Sequence, residues 1–265
     1  MSSARVHPTA VLEPTVRLAE SVVVGPYAVL EGSIELGPRC VVKTHVHLIG
    51  PLLIGPENTI CSGVVIGERP QHLKFDGRPT GVVIGAGNVF REHVTVHSGT
   101  TEAGTRIGDE NYFMAGSHVG HDSALGNRCI LANGALLGGH CEVGDGAFLS
   151  GNCAVHQFSR VGRLSMMSGG ATTSKDVPPF FMQEGRNRVV GVNVVGMRRA
   201  GLASEQIDAV REAYRILYMQ RKVLPAAVGR IEQVVGHVAA VAELLAFIRN
   251  SKRGITFTCG YREAA

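Results

Sequence analysis

The stretch that decides the fold is YFMAGSHVGHD, residues 112–122. Around it an apolar residue recurs at every sixth position, a period that fits neither one face of an α-helix nor a plain β-strand. A six-residue period is typical of a parallel β-helix, in which each hexapeptide forms one flat face and its apolar residue points inward. The inward positions here are Phe113, Val119, Leu125, Leu131, Leu137, Val143, Leu149, Val155 and Val161.

The same period runs through the first half of the chain, with two interruptions. It begins at Val6, continues to Ile66 and resumes at Ile84. The polar segment 67–80 interrupts it without shifting the frame. We therefore predict a loop, residues 68–80, that projects from an intact coil and could reach a neighbouring subunit. The second interruption, residues 98–106, shifts the frame by five residues.

A cluster of polar residues follows from the same geometry. If three faces close one coil, residues eighteen apart lie above one another at a spacing of about 4.8 Å. His121, Gly139 and Gln157 then form one column, and Asp122 shares the next column with His140. A histidine can act as a general base, a glycine N–H can stabilise an oxyanion, and a carboxylate can fix the imidazole tautomer. We interpret the cluster as a catalytic site; the alternative is that these are ordinary polar surface residues.

After about residue 175 the hexapeptide period fades, and Pro178-Pro179 ends the regular backbone. The pattern beyond predicts a small helical bundle. Its first helix would be capped by Ser204 and run to about Lys222. Two further apolar patterns follow, one through Ile231, Val234 and Val235 and the other through Val241, Leu244, Leu245 and Ile248.

The chain is thus predicted to form two domains. Residues 1–186 would be the β-helix with its projecting loop, and residues 187–265 the helical domain, ending in a loose tail from residue 254. The 34 glycines, 5% aromatic residues and absent tryptophan suit a narrow coil. No run of about 18 apolar residues occurs, so no membrane span is expected. Residues 1–9 lack the apolar core of a signal peptide, which favours the cytoplasm.

Cysteine usage argues against a bound cofactor. The six cysteines show no Cys-x-x-Cys spacing, so neither a structural zinc site nor a disulfide framework is indicated. No metal and no other cofactor is expected. We interpret the cysteines as small filler residues, at Cys40, Cys61, Cys129, Cys141, Cys153 and Cys259.

Positive charge is concentrated near the predicted helices. Residues 186–230 contain nine Lys or Arg but only three Asp or Glu. An acidic partner could dock there. Nucleic acid is disfavoured because neither a recognised module nor interleaved aromatic residues accompany the charge. The alternative is a helical surface that is simply solvated.

Several short motifs resemble those of the UDP-N-acetylglucosamine acyltransferases, the family that begins lipid A synthesis. The resemblance covers essentially the whole chain, and the motifs are more specific than hexapeptides alone, which many transferases share. It implies a left-handed parallel β-helix that assembles as a homotrimer with active sites between subunits. The matching motifs are QHLK (71–74), HD (121–122), GNRCILAN (126–133), GH (139–140), AVHQF (154–158), DVPP (176–179) and GVN (191–193).

The resemblance also implies a reaction and a set of site residues. The reaction is transfer of a 3-hydroxyacyl chain from acyl carrier protein to the 3-position of UDP-N-acetylglucosamine, without a metal or a covalent enzyme intermediate. His121 would be the general base with Asp122 beside it, and Gly139 the oxyanion donor. The basic segment 186–230 would receive the acyl carrier protein. Substrate contacts would be Gln71, His72, Lys74, His118, His140, His156 and Gln157, with Gly169 at the far end of the acyl groove and Asn193 and Arg199 at the nucleotide.

Two positions depart from the family pattern. His72 stands where an aspartate is usual, and Ser98 stands where an arginine is usual. A neutral imidazole both donates and accepts hydrogen bonds, whereas a carboxylate only accepts them. We therefore expect altered recognition of the sugar, and N-acylation of the 3-amino analogue of the UDP-sugar is an alternative activity.

Two other functions and one other catalytic mechanism are the alternatives. A γ-carbonic-anhydrase-like zinc enzyme could use His118, His121, His140 and His156 as ligands, but their spacing does not match and a hydratase needs no basic helical domain. Nucleophilic catalysis by Cys129 or Cys141 is disfavoured because both occupy filler positions. A non-enzymatic scaffold would require that loss of His121 leave every function intact.

Overall fold

The computed structural model describes residues 3–77, 80–220 and 222–257. As far as residue 184 the chain winds into a parallel β-helix, in which each short strand pairs with its counterpart in the next coil. The predicted fold is thereby confirmed. The strands are β1 (Arg5–Val6), β2 (Val11–Leu12), β3 (Val16–Leu18), β4 (Val23–Val24), β5 (Val29–Glu31), β6 (Ile34–Leu36), β7 (Val41–Val42), β8 (His47–Ile49), β9 (Leu52–Ile54), β10 (Thr59–Ile60), β11 (Val65–Glu68), β12 (Val82–Ile84), β13 (Val89–Phe90), β14 (Thr95–His97), β15 (Thr105–Ile107), β16 (Tyr112–Phe113), β17 (His118–Val119), β18 (Ala124–Leu125), β19 (Ile130–Leu131), β20 (Leu136–Leu137), β21 (Glu142–Val143), β22 (Phe148–Leu149), β23 (Ala154–Val155), β24 (Arg160–Val161), β25 (Met166–Met167), β26 (Thr172–Thr173), β27 (Phe181–Glu184) and β28 (Arg188–Val192).

The strand pairing confirms both interruptions. In uninterrupted coils, paired residues are eighteen apart, as between β17 and β20. Across the projecting loop they are thirty apart, as between β10 and β13. The loop therefore adds twelve residues, two whole hexapeptides, and leaves the coil intact. Across residues 98–106 paired residues are twenty-three apart, as between β12 and β15, which accounts for the five-residue shift.

The inward positions of the hexapeptides form the core of the β-helix. From Val24 to Val161 none of them is more than 5% exposed. Two rings stack along the axis where Phe90 meets Phe113, with centroids 4.6 Å apart. Val6 is 43% exposed because it lies in the outermost coil, which has a neighbouring coil on one side only.

The C-terminal part packs its own core against the last coil. Within the described residues, the antiparallel pair β27 and β28 leads into four α-helices and one π-helix. The two later predicted helices are confirmed as α3 and α4. The predicted domain boundary at residue 186 falls between β27 and β28 and stays a prediction. The elements are α1 (Val194–Arg199), α2 (Ser204–Tyr214), the π-helix (Arg215–Met219), α3 (Leu224–Val235) and α4 (Ala239–Arg249).

The prediction for the first long helix was wrong at both ends. Ala203, not Ser204, is the N-cap residue of α2, and the Gln206 side chain reaches back to accept the Ala203 N–H at 3.3 Å. The helical backbone ends at Met219 rather than near Lys222. The reason is that Val223 is already extended as the N-cap of α3. The short helix α1 was not predicted at all.

The segment after α4 is packed rather than loose in its described part. Ile255 pairs with Asp176 and Phe257 with Arg188 in isolated β-bridges. Thr256 is fully buried, and its N–H donates to the Asp176 carbonyl at 2.9 Å. The prediction of a loose tail was therefore wrong for residues 254–257. Cys259 and the rest of the predicted tail lie outside the described residues. Within the described ranges, no helix is both long and apolar enough to cross a membrane.

Candidate active site

His121 and Asp122 form the hydrogen-bonded pair at the centre of the cluster. They occupy the corner between β17 and β18. His121 Nδ1 lies 2.7 Å from Asp122 Oδ2, and the two side chains are only 7% and 2% exposed. Because an ionised carboxylate only accepts hydrogen bonds, Nδ1 carries the proton and Nε2 offers its lone pair. This is the arrangement of a general base with its orienting group.

Asp122 is held by the second interruption of the hexapeptide period. Its carboxylate accepts hydrogen bonds from the backbone N–H groups and the hydroxyls of Thr100 and Thr101, at 2.7 to 2.9 Å. Burial alone would raise the pKa of Asp122, but the hydrogen bonds from His121 and the two threonines outweigh it and hold that pKa well below its usual range. Sequence reasoning missed both threonines. The only signal for them was the frame shift in which they lie.

Gly139 lies beside His121 in the following coil, as the eighteen-residue column predicts. A Cβ at this position would be 2.5 Å from His121 Nε2, so only a bare backbone fits against that nitrogen. The Gly139 carbonyl accepts the Phe158 N–H at 3.0 Å, but the Gly139 N–H bonds to no group in the described residues. An unshielded and unused N–H next to a general base suits an oxyanion donor.

Two aromatic rings pack against His121, and a third stacks on one of them. His72 from the projecting loop and His140 from the following coil each meet its ring edge to face, with centroids 5.4 and 5.1 Å away. Phe158, one coil further, stacks on His140 with centroids 4.5 Å apart. Burial lowers the pKa of His140, although the nearby Asp122 charge opposes the shift. His140 Nε2 lies 3.6 Å from Asp122 Oδ2, which is too far for a hydrogen bond.

His118 and His97 form a second pair of imidazoles next to the first. Their rings meet edge to face with centroids 4.7 Å apart, and His118 Nδ1 lies 2.7 Å from Thr95 Oγ1. Burial, reinforced by His97 and His121, lowers the pKa of His118 to about 4, so His118 is neutral near pH 7. Burial likewise lowers the pKa of His97. Sequence reasoning did not include His97 in the site; its signal was its place in β14, directly before β17 in the sheet.

The projecting loop brings only one of its three predicted residues into contact with the central pair. Gln71, His72 and Lys74 are all exposed, and of the three only His72 packs on the His121 ring. The His72 Nδ1 also accepts the Lys74 backbone N–H at 3.2 Å, which helps to fix the turn. Ser98 supports the base of the loop, since its N–H and its hydroxyl donate to the Glu68 carbonyl at 2.9 and 3.2 Å.

The remaining predicted contacts of the β-helix lie further along it. Exposed His156 and Gln157 occupy the coil after Gly139, and Arg253 Nη2 lies 3.4 Å from His156 Nδ1. Gly169 is exposed, and the nearest atom to a Cβ built on it is 3.7 Å away. There is thus open space for a longer side chain at Gly169. The predicted roles of these three residues stay predictions.

The two residues predicted to contact the nucleotide flank α1. Asn193 is its N-cap: Oδ1 accepts the Gly196 N–H at 3.0 Å, and Nδ2 donates to the Leu164 carbonyl at 2.8 Å. Both ends of the Asn193 amide are therefore engaged within the chain. Arg199 is exposed in the last turn of α1. Neither residue contacts His121 in the described part of the chain.

Of the four histidines predicted as zinc ligands, only His121 and His140 lie close enough together to share a metal ion. His121, Asp122 and His140 each offer one ligand atom, and these atoms lie within 4.8 Å of one another. His118 instead contacts His97 and Thr95, and His156 is exposed one coil beyond Gly139. Both Asp122 oxygens already accept several hydrogen bonds, so a metal there would have to displace them. The donor set therefore does not fit the predicted four-histidine site.

The cysteines near the site are inert filler residues, as predicted. Cys129 and Cys141 are fully buried, and their thiols donate to the carbonyls of Gly144 and His156, each at 3.3 Å. Burial raises the pKa of both thiols to about 12. A thiol with so high a pKa forms almost no thiolate near pH 7, which argues against a nucleophilic role. Cys40, Cys61 and Cys153 are buried as well.

Family models match two parts of the chain. The model described as "Udp N-acetylglucosamine O-acyltransferase; Domain 2" matches residues 176–256. The model for the bacterial transferase hexapeptide, with six repeats, matches residues 104–139.

Whole-length relatives agree with these matches. The acyl-[acyl-carrier-protein]–UDP-N-acetylglucosamine O-acyltransferase of Anaeromyxobacter sp. (strain Fw109-5) is 46% identical to this chain, over 95% of this chain and 99% of the relative. The enzyme of the same name from Halorhodospira halophila is 47% identical, over 95% of this chain and 98% of the relative. The solved UDP-N-acetylglucosamine acyltransferase of Francisella novicida superposes with a TM-score of 0.93 at 32% identity, covering 96% of this chain and 95% of that one. The Bacteroides fragilis enzyme superposes with a TM-score of 0.91 at 36% identity, covering 94% of this chain and 99% of that one.

Proposed function

Since the chain belongs to the UDP-N-acetylglucosamine O-acyltransferase family, we propose that it transfers a 3-hydroxyacyl chain from acyl carrier protein to the 3-hydroxyl of UDP-N-acetylglucosamine, the first step of lipid A biosynthesis. One observation carries the proposal. His121, fixed at Nδ1 by Asp122 at 2.7 Å, turns its free Nε2 toward the backbone of Gly139. A base and an oxyanion donor thus stand side by side, as direct acyl transfer requires.

The proposed reaction uses these groups in sequence. His121 Nε2 accepts the proton of the sugar hydroxyl while the oxygen attacks the thioester carbonyl. The Gly139 N–H donates to the oxyanion that forms on the carbonyl oxygen. The carbon–sulfur bond then breaks, and the leaving thiolate takes the proton back from His121. Asp122 stays ionised throughout and stabilises the imidazolium that forms in between.

The remaining contacts complete the proposal. Gln71, His72, Lys74, His118, His140, His156 and Gln157 line the approach to His121, Gly169 ends the acyl groove, and Asn193 and Arg199 reach the nucleotide. Asn193 would do so without giving up its role as the N-cap of α1. The basic segment 186–230 receives the acyl carrier protein, and the protein works as a cytoplasmic homotrimer with sites between subunits.

The test is mass spectrometry of the products that the purified protein forms. It is offered UDP-N-acetylglucosamine with a set of 3-hydroxyacyl carrier proteins of different chain length. We expect one O-acylated UDP-sugar, and we expect His121→Ala to lower its rate of formation by at least about 10², the low end for loss of a general base. Absence of acylated sugar with every donor, or an unimpaired His121→Ala variant, would refute the proposal.

A second candidate activity is N-acylation of the 3-amino analogue of the sugar. It is favoured by His72, whose ring lies 5.4 Å from that of His121, where the family usually has a carboxylate. Because His72 Nδ1 accepts the Lys74 N–H, a neutral His72 ring offers the sugar an Nε2–H donor where a carboxylate would only accept, so the set of satisfied sugar substituents changes. An unmatched buried polar group costs about 1 to 3 kcal/mol, enough to shift substrate preference about tenfold.

The two activities are separated by comparing His72→Asp with the parent. Specificity constants for both UDP-sugars are measured with one fixed acyl donor. We expect the parent to favour the amino sugar relative to His72→Asp by about tenfold. A ratio that stays the same within about twofold would mean that His72 does not govern sugar choice.

A further inference from the structure

The segment 98–106, which adds five residues to its coil, makes a specific contact that could not be predicted from its sequence. It folds around the Asp122 carboxylate. Oδ1 accepts from the N–H groups of Thr100 and Thr101 and from the Thr101 hydroxyl, at 2.9, 2.8 and 2.7 Å. Oδ2 accepts from the Thr100 N–H and hydroxyl at 2.9 and 2.8 Å, besides His121. Two consecutive residues therefore supply two backbone and two hydroxyl donors to one carboxylate.

The surroundings of the insertion are built for this contact. Asp122 has a left-handed φ of 58°, and its own N–H donates to Thr105 Oγ1 at 2.9 Å. Gly99 approaches so closely that a Cβ there would lie 2.8 Å from Asp122 Oδ1 and 2.6 Å from the Gly104 Cα. The backbone of the insertion thus closes directly over the carboxylate. We call Thr100 and Thr101 the threonine cage.

Full occupation of the carboxylate has a consequence for the neighbouring histidines. An ionised carboxylate has about four lone-pair sites, and the cage with His121 uses them all. His140 Nε2 therefore stays at 3.6 Å from Oδ2 and is not a competing donor. Donors that share the negative charge also weaken its pull on the His121 proton, since hydrogen bonds to the charged form spread and stabilise that charge.

We propose that Thr100 and Thr101 are positioning residues for acyl transfer: they hold Asp122 fixed on His121 and limit how strongly it retains the proton. This inference rests on the proposed function for its catalytic meaning. The titratable groups that face His121 are Asp122 from its own corner, His140 from the next coil, His72 from the loop, and His118 with His97 from the adjoining strands. Among these, Asp122 is the one in direct hydrogen-bond contact with His121 Nδ1.

If the cage acts in this way, two kinds of variant should change the pKa of His121 in opposite directions. Loss of a hydroxyl donor in Thr101→Val leaves more negative charge for His121, so the pKa of His121 rises. Loss of the charge in Asp122→Asn lowers it. Thr101 is exposed and its methyl is retained in valine, so the fold should tolerate the change. Thr101→Ser keeps the hydroxyl and serves as the matched control.

The experiment measures the His121 pKa by NMR titration of histidine-labelled protein, with the resonance assigned by its loss in His121→Gln. In parallel, kcat/KM for acyl transfer is followed against pH. One hydrogen bond to a charged group is worth about one to two pKa units, and a part of this reaches His121, so we expect a rise of roughly 0.3 to 1 unit in Thr101→Val. The acid limb of kcat/KM should move up equally, and Thr101→Ser should titrate like the parent.

The outcomes separate this inference from the proposed function. Thr101→Val with an unchanged His121 pKa and a lower melting temperature would mean that the cage only supports the fold, and would overturn the inference. A downward shift would overturn it too. A parent protein that transfers no acyl group would instead refute the proposed function, while the NMR titration would still decide whether the cage tunes His121.

Discussion

Gly139→Ala tests the geometry of the site most directly. The added methyl would lie 2.5 Å from His121 Nε2, 2.7 Å from Cε1 and 3.0 Å from Cδ2, whereas ordinary contact begins at 3.4 Å. The imidazole must therefore retreat by about 0.9 Å. It cannot tilt freely, because Asp122 holds Nδ1 and the rings of His72 and His140 flank it. A misplacement of about 1 Å costs about 10² in rate, so we expect kcat to fall about a hundredfold with little change in KM.

The assay is initial-rate kinetics of acyl transfer, with melting temperatures as a check on folding. Gly139→Ala is also made in the His121→Ala background, which serves as the matched control because the methyl there has no imidazole to displace. If Gly139→Ala keeps more than about half of the parent kcat, His121 and Gly139 do not stand this close in the working enzyme. An equal loss in both backgrounds would also refute it, since coupled residues are not additive.

Three further predictions follow from other parts of the chain. Gly169→Met should shorten the preferred acyl donor, because the side chain would enter the open space beside Gly169; an unchanged donor profile by mass spectrometry would place the end of the groove elsewhere. Asp122→Asn should lower the free energy of unfolding by about 2 kcal/mol at pH 7. Because the folded pKa of Asp122 is held well below its usual range, this difference should be complete above about pH 5 and shrink as the pH falls through the unfolded value of about 3.9. It should vanish only below the depressed folded pKa; denaturant titrations at several pH values check it, and a pH-independent difference would contradict it. Finally, KM for the acyl carrier protein should rise with salt far more than KM for the UDP-sugar, as expected for docking on the basic segment 186–230.

Much of the fold could be predicted because its period is set by local geometry. An inward apolar residue at every sixth position leaves few alternatives, and the frame counted through both interruptions gave the observed pairing of coils. The first and last residues of the helices were harder to predict. α2 starts after Ala203, which has no capping side chain, and the signal at Ser204 pointed one residue too far. The segment 254–257 looks unstructured in sequence because its β-bridges are made with residues far away in the chain, at Asp176 and Arg188.

The candidate site divides in the same way. His121, Gly139 and Gln157 could be placed in one column because they lie on regular coils eighteen residues apart. Thr100 and Thr101 could not, because no period governs an insertion and its path depends on what it can bond. The engagement of both ends of the Asn193 amide was equally hidden, since one partner, Leu164, lies 29 residues earlier in the β-helix. The sequence therefore reveals the residues whose places are fixed by the repeat. It misses the residues that only the folded backbone brings together.

The division between repeat and interruption also orders the chemistry. The regular coils position His121 and Gly139, the proposed base and oxyanion donor. Their stacking leaves little freedom, since a methyl group at Gly139 would lie 2.5 Å from His121 Nε2. The two interruptions supply the residues proposed to adjust this base: His72 from the twelve extra residues and the threonine cage from the five. Changes in the interruptions can therefore alter sugar choice or the pH range of activity while the column that performs the transfer stays intact. Changes in the column should abolish the transfer with any sugar.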